Sequence, residues 1–279
     1  RRGHQVSLAE AGTELGGRVL RESSLPGLQN WIRVRDYRAY MLSQMDNVEV
    51  YLNSELMAAE IKEFEADAVV IATGSRWRRD GIGASVRYPV PIDDNANILT
   101  PDDIFAGAEI RDEVLIYDDE HYMMAGALAE KFLLAGCRVK YLTPATTISS
   151  WTAMTDEQAF IQTRLLSLGV EAIFTQKLTS VAQGILTTSC IYSGQTSEHK
   201  TDNLLLVTGR KPNDELYREL SNAAVRIGDC LVPSSIADAV YSGHRFAREY
   251  GENPARLVAK RERAMMHTNN NQTNPGAIS

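Results

Sequence analysis

Twice in this chain a mostly apolar run passes straight into a Thr-Gly pair. The first is Ala66-Asp67-Ala68-Val69-Val70-Ile71-Ala72-Thr73-Gly74, the second Asn203-Leu204-Leu205-Leu206-Val207-Thr208-Gly209. A strand without polar alternation is buried on both faces, as in a parallel sheet flanked by helices. A glycine directly after it lets the chain turn sharply at the carboxyl edge of the sheet, where open α/β folds hold their ligands. Each junction closes a block of strands and helices. The repeat therefore predicts a duplicated nucleotide-binding architecture.

The first block opens with Arg1-Arg2-Gly3-His4 and Gln5-Val6-Ser7-Leu8-Ala9-Glu10. This reads as a helix end, a turn and a short buried strand ending in a carboxylate. In a Rossmann-type unit that carboxylate ends the second strand and accepts the hydroxyls of an adenosine ribose. The first strand and glycine loop of such a unit do not precede it, so a C-terminal piece of a longer protein is expected. Leu15-Gly16-Gly17-Arg18 adds glycines that let the backbone approach a pyrophosphate, and a guanidinium to meet its charge. Trp31–Met45 has helical spacing, Val48–Leu52 is a β run, and a hairpin is expected between that run and the first Thr-Gly strand. Gly228-Asp229 follows in the order seen in two-dinucleotide-domain flavoproteins, where such an aspartate lies near the cofactor phosphates. A helix predicted from Pro233 to Tyr250 would turn its positive end toward them.

Residues 76–111, with Pro89, Pro91 and Pro101, read as a crossing between blocks. The second block then has a strand at Glu113–Tyr117, a helix at Ala125–Ala135 stopped by Gly136, a strand at Cys137–Leu142 and a helix at Asp156–Leu168. Where a glycine loop would stand, the chain has Asp118-Asp119-Glu120-His121-Tyr122-Met123-Met124. Three acids repel a pyrophosphate, and the large side chains deny it the backbone. The fold is expected to survive there and dinucleotide binding to be lost. His121 could serve as a base or, with the acids, ligate a metal, but a lone histidine among acids reads better as structural. Trp31-Ile32-Arg33-Val34-Arg35-Asp36-Tyr37-Arg38 reads as a solvated helix face with internal Arg–Asp pairs. The alternative is a docking face for an acidic partner.

Composition excludes other classes. A formal charge of −7 over 279 residues argues against nucleic acid or an anionic membrane as partner. No apolar run reaches the roughly 18 residues of a membrane helix, and no signal peptide opens the chain. Cys137, Cys190 and Cys230 stand apart without a CxxC pair, which fits a reducing cytoplasm and argues against a redox disulfide.

Taken with Leu25-Pro26-Gly27-Leu28, Trp31, Trp77, Ser150-Trp151 and Ile236-Ala237-Asp238-Ala239, these motifs resemble the trimethylamine, dimethylamine and histamine dehydrogenase family, the histamine dehydrogenase branch nearest. The resemblance covers about residues 1–250 and includes the degenerate second loop, itself a family trait. It implies a barrel with covalent FMN and a 4Fe-4S cluster, followed by two Rossmann-like dinucleotide-binding domains of the two-dinucleotide-domain flavoprotein type. Here the first domain would be truncated at its N-terminus and comprise 1–80 and 210–260. The degenerate NAD(P)-type domain would be 110–208, and 261–279 a polar tail. ADP, or FAD, would bind at Glu10, Leu15, Gly16, Gly17, Arg18, Thr73, Gly74 and Asp229, with no catalytic or metal-binding residue in this region. The parent would be a homodimer that oxidises an amine and passes electrons to an electron-transferring flavoprotein, and the piece itself would be inactive. The competing readings are a 2,4-dienoyl-CoA-reductase-like NAD(P)H oxidoreductase and a non-catalytic nucleotide-binding or docking module.

Overall fold

The computed structural model describes residues 2–220 and 223–252, so Arg1 and the expected tail 261–279 lie outside the described residues. In chain order the elements are β1 Val6–Ala9, α1 Arg18–Glu22, α2 Ile32–Ser43, β2 Val48–Tyr51, α3 Ala58–Glu63, β3 Val70–Ile71, β4 Ser75–Trp77, β5 Ile98–Leu99, α4 Pro101–Phe105, β6 Glu113–Asp118, α5 Met123–Leu134 and β7 Arg138–Leu142. They continue with α6 Gln158–Ser167, β8 Glu171–Ile173, β9 Gln176–Ala182, β10 Ile185–Cys190, β11 Thr196–Lys200, β12 Leu204–Val207, β13 Arg210–Pro212, α7 Glu215–Glu219, β14 Val225–Arg226 and α8 Ile236–Glu249.

The chain is mixed α/β, and its largest sheet is parallel: five strands in the order β5-β12-β6-β7-β8. Side chains of a strand alternate between faces. Val114 and Ile116 of β6, with Leu205 and Val207 of β12, point to a core shared with Leu128 and Phe132 of α5 and Leu165 of α6. The intervening Leu115, Tyr117, Leu204 and Leu206 point the other way, onto Leu178, Val181 and Leu186. Those three belong to the antiparallel sheet β11-β10-β9, which covers that face. A strand covered on both faces has few polar positions, which is why Leu204–Val207 reads as unbroken.

The first block is thinner. β1 pairs with β2 in parallel, β3 with β14 in parallel, and β4 with β13 antiparallel, giving three two-stranded sheets. The return of the chain to this block is direct: Val225 lies opposite Val70, and Arg226 opposite Ile71. Three expectations need correction here. Residues 66–74 are not a fully buried strand. Only Val70 and Ile71 are laddered, Ile71 is buried, and Ala72 and Thr73 are exposed, because the run has a strand neighbour on one side alone. The hairpin expected after Leu52 is the short helix α3, whose Glu60 carboxylate accepts the Met57 N–H at 2.7 Å. The last helix begins at Ile236 rather than Pro233. Ser235 is its N-cap, accepting the Asp238 N–H at 3.2 Å while Asp238 reaches back in a capping box.

Candidate functional site at the strand ends

The centre of the first block is the Asp229 carboxylate. Its Oδ2 accepts from Arg18 at 2.8 Å, from the Ser75 hydroxyl at 2.9 Å and from Arg210 at 2.5 Å, and its Oδ1 takes the Ser234 N–H at 3.1 Å. Arg18 also donates through Nε to Glu22 at 2.6 Å. Both guanidiniums lie over the Trp77 ring, at 5.8 Å for Arg18 and 5.6 Å for Arg210. Glu22 is 2% exposed, and burial pushes its carboxyl above the usual range against the pull of Arg18. The cluster joins residues some two hundred positions apart. The i,i+4 spacing of Arg18 and Glu22 was visible in the sequence and Trp77 was marked by the family resemblance; Ser75 and Arg210 carried no local signal.

Arg18 is therefore not a free cation waiting for a phosphate, since its charge is met by Glu22 and Asp229. Glu10 stands just past the end of β1, its N–H held by Tyr51 O at 2.8 Å, and its Oε1 accepts the Gly12 N–H at 2.8 Å. Leu15 O takes the Arg35 Nε–H at 2.9 Å. Gly16 fits closely against Arg35, whose Cγ would lie 2.7 Å from an added Cβ. Gly17, at φ +50°, faces open space. Thr73 and Gly74 are held by Asn213: its side chain donates to Thr73 O at 3.1 Å and its N–H to Gly74 O at 3.0 Å. Gly74, at φ +77°, also faces open space. Arg18, Ser75 and Asp229 thus meet directly, and Thr73 touches Cys230 Sγ at 3.2 Å.

The second block is built differently at the same edge. The Asp119 carboxylate accepts the Ser85 N–H at 2.9 Å and the Val86 N–H at 3.1 Å, and Asp119 O accepts the Ala84 N–H at 2.9 Å. An added Cβ on Gly83 would lie 2.5 Å from Asp119 Oδ2. Gly209 of the second Thr-Gly pair donates to Ile82 O at 2.7 Å and accepts from the Arg78 N–H at 3.0 Å. Residues 78–86 of the crossing segment therefore sit on both the acid loop and the Thr-Gly turn. His121 is buried, its Nε2 3.2 Å from Asp119 Oδ1. Burial lowers its proton affinity, but the Asp119 hydrogen bond and the Asp118 and Asp119 charges outweigh that and raise it. Asp118 accepts from Tyr141 at 2.5 Å and from the His121 N–H at 2.8 Å. The histidine is packed among buried acids and held by Asp119. In α2 the expected internal pair is present, Arg35 to Asp36 at 2.9 Å.

The parallel sheet defines a mixed α/β architecture, and comparison with known proteins narrows it. No family model matches the chain. Dimethylamine dehydrogenase of Hyphomicrobium sp. (strain x) is 32% identical over 89% of this chain and 39% of its own length. The structure of histamine dehydrogenase from Rhizobium sp. 4-9 superposes with a TM-score of 0.87 at 41% identity, over 93% of this chain and 42% of that one. That of 6-hydroxypseudooxynicotine amine oxidase from Pseudomonas geniculata N1 gives 0.85 at 39% identity, over 90% and 39%. The chain is homologous to dimethylamine dehydrogenase in sequence and to histamine dehydrogenase in structure, across most of its length. It spans about two fifths of the length of these relatives, whose names are those of amine-oxidising oxidoreductases.

Proposed function

We propose that this chain is the nucleotide-binding region of a longer amine-oxidising flavoprotein. In this reading it holds two Rossmann-like domains of the two-dinucleotide-domain type, the first lacking its initial strand and glycine loop. The observation that carries the reading is the pair of parallel ladders, β1–β2 and β3–β14, each with Val, Ile or Tyr side chains left partly exposed, such as Val6 at 44% and Val225 at 46%. A further strand between them would bury those side chains.

The first domain would hold ADP or FAD. Glu10 suits a ribose, because its carboxylate lies at a strand's carboxyl end with one oxygen already oriented by Gly12. Gly17 and Gly74 leave the space a backbone-hugging phosphate needs. Arg18 and Asp229 would shape the phosphate wall as a neutralised pair rather than supply a free positive charge. The second domain would bind no dinucleotide, because its own crossing segment takes that place. This disfavours an NAD(P)H oxidoreductase of the dienoyl-CoA-reductase type.

FMN and a 4Fe-4S cluster would belong to the remaining three fifths of the protein. Among the described residues no group of three His, Cys, Asp or Glu side chains is placed to hold a metal ion, so the cluster does not fit here. Amine oxidation, electron transfer to an electron-transferring flavoprotein and homodimerisation would be properties of that full-length protein. Calorimetry of ADP with the full-length protein tests the reading. Micromolar or tighter binding that Glu10→Ala weakens supports it, and unchanged binding in the variant overturns the placement of the site.

A further inference from the structure

One arginine of α2 holds the loop that joins Glu10 to Arg18. The start of that loop is fastened to the residues after β2: the Ser54 N–H donates to Glu10 O at 2.9 Å and the Asn53 N–H to Gly12 O at 2.9 Å. Its far end is fastened by Arg35. The guanidinium donates through Nε to Leu15 O at 2.9 Å, through Nη2 to the Glu14 carboxylate, and through Nη1 to Asp36 at 2.9 Å. All three of its nitrogens are thus engaged within the chain, and the side chain is 23% exposed. Its stem lies on Gly16, where an added Cβ would stand 2.7 Å from Arg35 Cγ and 3.1 Å from Leu20 Cγ. The two loop glycines therefore do different things. Gly16 makes room for the arginine stem, and Gly17, at φ +50°, carries the backbone past open space. A planar fork of donors fixes direction as well as distance, so a carbonyl and a carboxylate held by it leave the loop little freedom.

We propose that Arg35 is a positioning residue for the phosphate end of an adenine nucleotide, setting the path of residues 14–17 without touching the ligand itself. The proposal rests on the nucleotide reading above. Glu10 and Arg18 stand at the two ends of the loop, so its path decides where Gly17 and the Arg18–Asp229 pair lie relative to the ribose carboxylate. A loop fixed before the ligand arrives loses no freedom on binding, which strengthens affinity. Glu10 itself is held by Tyr51 O and the Ser54 N–H, independently of Arg35, so the ribose end should not depend on the arginine.

The test is calorimetry of the full-length protein with ADP and with adenosine, which lacks the phosphates. Arg35→Met keeps the stem on Gly16 and removes the fork. It should weaken ADP by roughly tenfold or more and leave adenosine affinity within about twofold. Arg35→Lys keeps the charge without the fork and should fail in the same way, because one ammonium cannot hold Leu15 O and Glu14 in the arginine's geometry. Unchanged ADP affinity in Arg35→Met overturns the positioning role alone. An equal loss for ADP and adenosine also overturns it, by making Arg35 a general support of the fold. Full recovery in Arg35→Lys overturns it too, by pointing to a direct charge contact with phosphate. If neither variant folds, Glu14→Gln serves instead, since that partner's side chain is 60% exposed. It should cost ADP about twofold to fivefold with adenosine unchanged, and no selective loss counts against the proposal. Absence of ADP binding by the unmodified protein overturns the nucleotide reading and the positioning role with it.

Discussion

The two Thr-Gly strand ends differ in what fills the space beyond them. At Gly74 there is open room, and the turn is held from behind by Asn213. At Gly209 the space is taken by the backbone of Ile82, with Ser85 and Val86 seated on Asp119 nearby. Two similar strand-turn segments have thus become an open edge and a closed one. The difference lies in the acid loop. An aspartate that takes two backbone N–H groups of its own chain does for that segment what a glycine loop does for a phosphate, with donor and acceptor exchanged.

The largest effect is expected from opening the closed edge. Asp119→Ala leaves the buried Val86 N–H, the Ser85 N–H and the His121 side chain without their acceptor, which should cost about 3–5 kcal/mol in urea unfolding. A loss below about 1 kcal/mol would show that Asp119 does not hold the segment. NADH binding by the unmodified protein would contradict the closed reading altogether.

The open edge should answer in affinity rather than stability. Glu10→Ala is expected to cost roughly 1.5–3 kcal/mol of ADP binding, tenfold to a hundredfold in Kd. Its unfolding midpoint should barely move, because the one side-chain hydrogen bond it makes among the described residues is to Gly12 within its own turn. An equal loss of stability would make Glu10 a structural residue.

A paired glycine experiment sharpens the contrast. Gly209→Ala puts a Cβ 2.8 Å from Ile82 O, against backbone that cannot step aside, and about 1–3 kcal/mol of overpacking should follow. Hydrogen exchange should then quicken across residues 78–86. Gly74→Ala meets no atom and pays only for its left-handed φ, about 1–2 kcal/mol, with exchange at 78–86 unchanged. Matching exchange maps for the two variants would erase the distinction.

The smallest effect should come from Ser235, the exposed N-cap of α8. Ser235→Ala removes the acceptor of the Asp238 N–H and should cost about 1 kcal/mol, read as a small drop in Tm. A larger loss would mean that the start of α8 is coupled to the Asp229 cluster beside it.

Much of this was legible in the residues. The β12 run Leu204–Val207 carries no polar position, so it had to be buried on both sides, and it is. The helices at α2, α5 and α6 follow from period and stop signals that act within a few residues. The lack of glycine and the excess of acid in the second loop were equally plain, and in the structure that loop seats Asp119 on the Ser85 and Val86 N–H groups. Run 66–74 misled for the same local reason: its composition matches a central strand, but burial depends on neighbours, and only β14 lies beside it.

What the sequence determined by itself were the features set by short-range chemistry: strand and helix periods, turn glycines and the order of the motifs. Tertiary structure decided the rest. It turned Arg18 from a free cation into the partner of Glu22 and Asp229. It laid an unremarkable crossing segment over the second strand ends. Each of these depends on groups tens to hundreds of residues apart meeting within about 3 Å, where Coulomb and hydrogen-bond energies become large. No local pattern encodes such meetings; only the packing of the whole chain does.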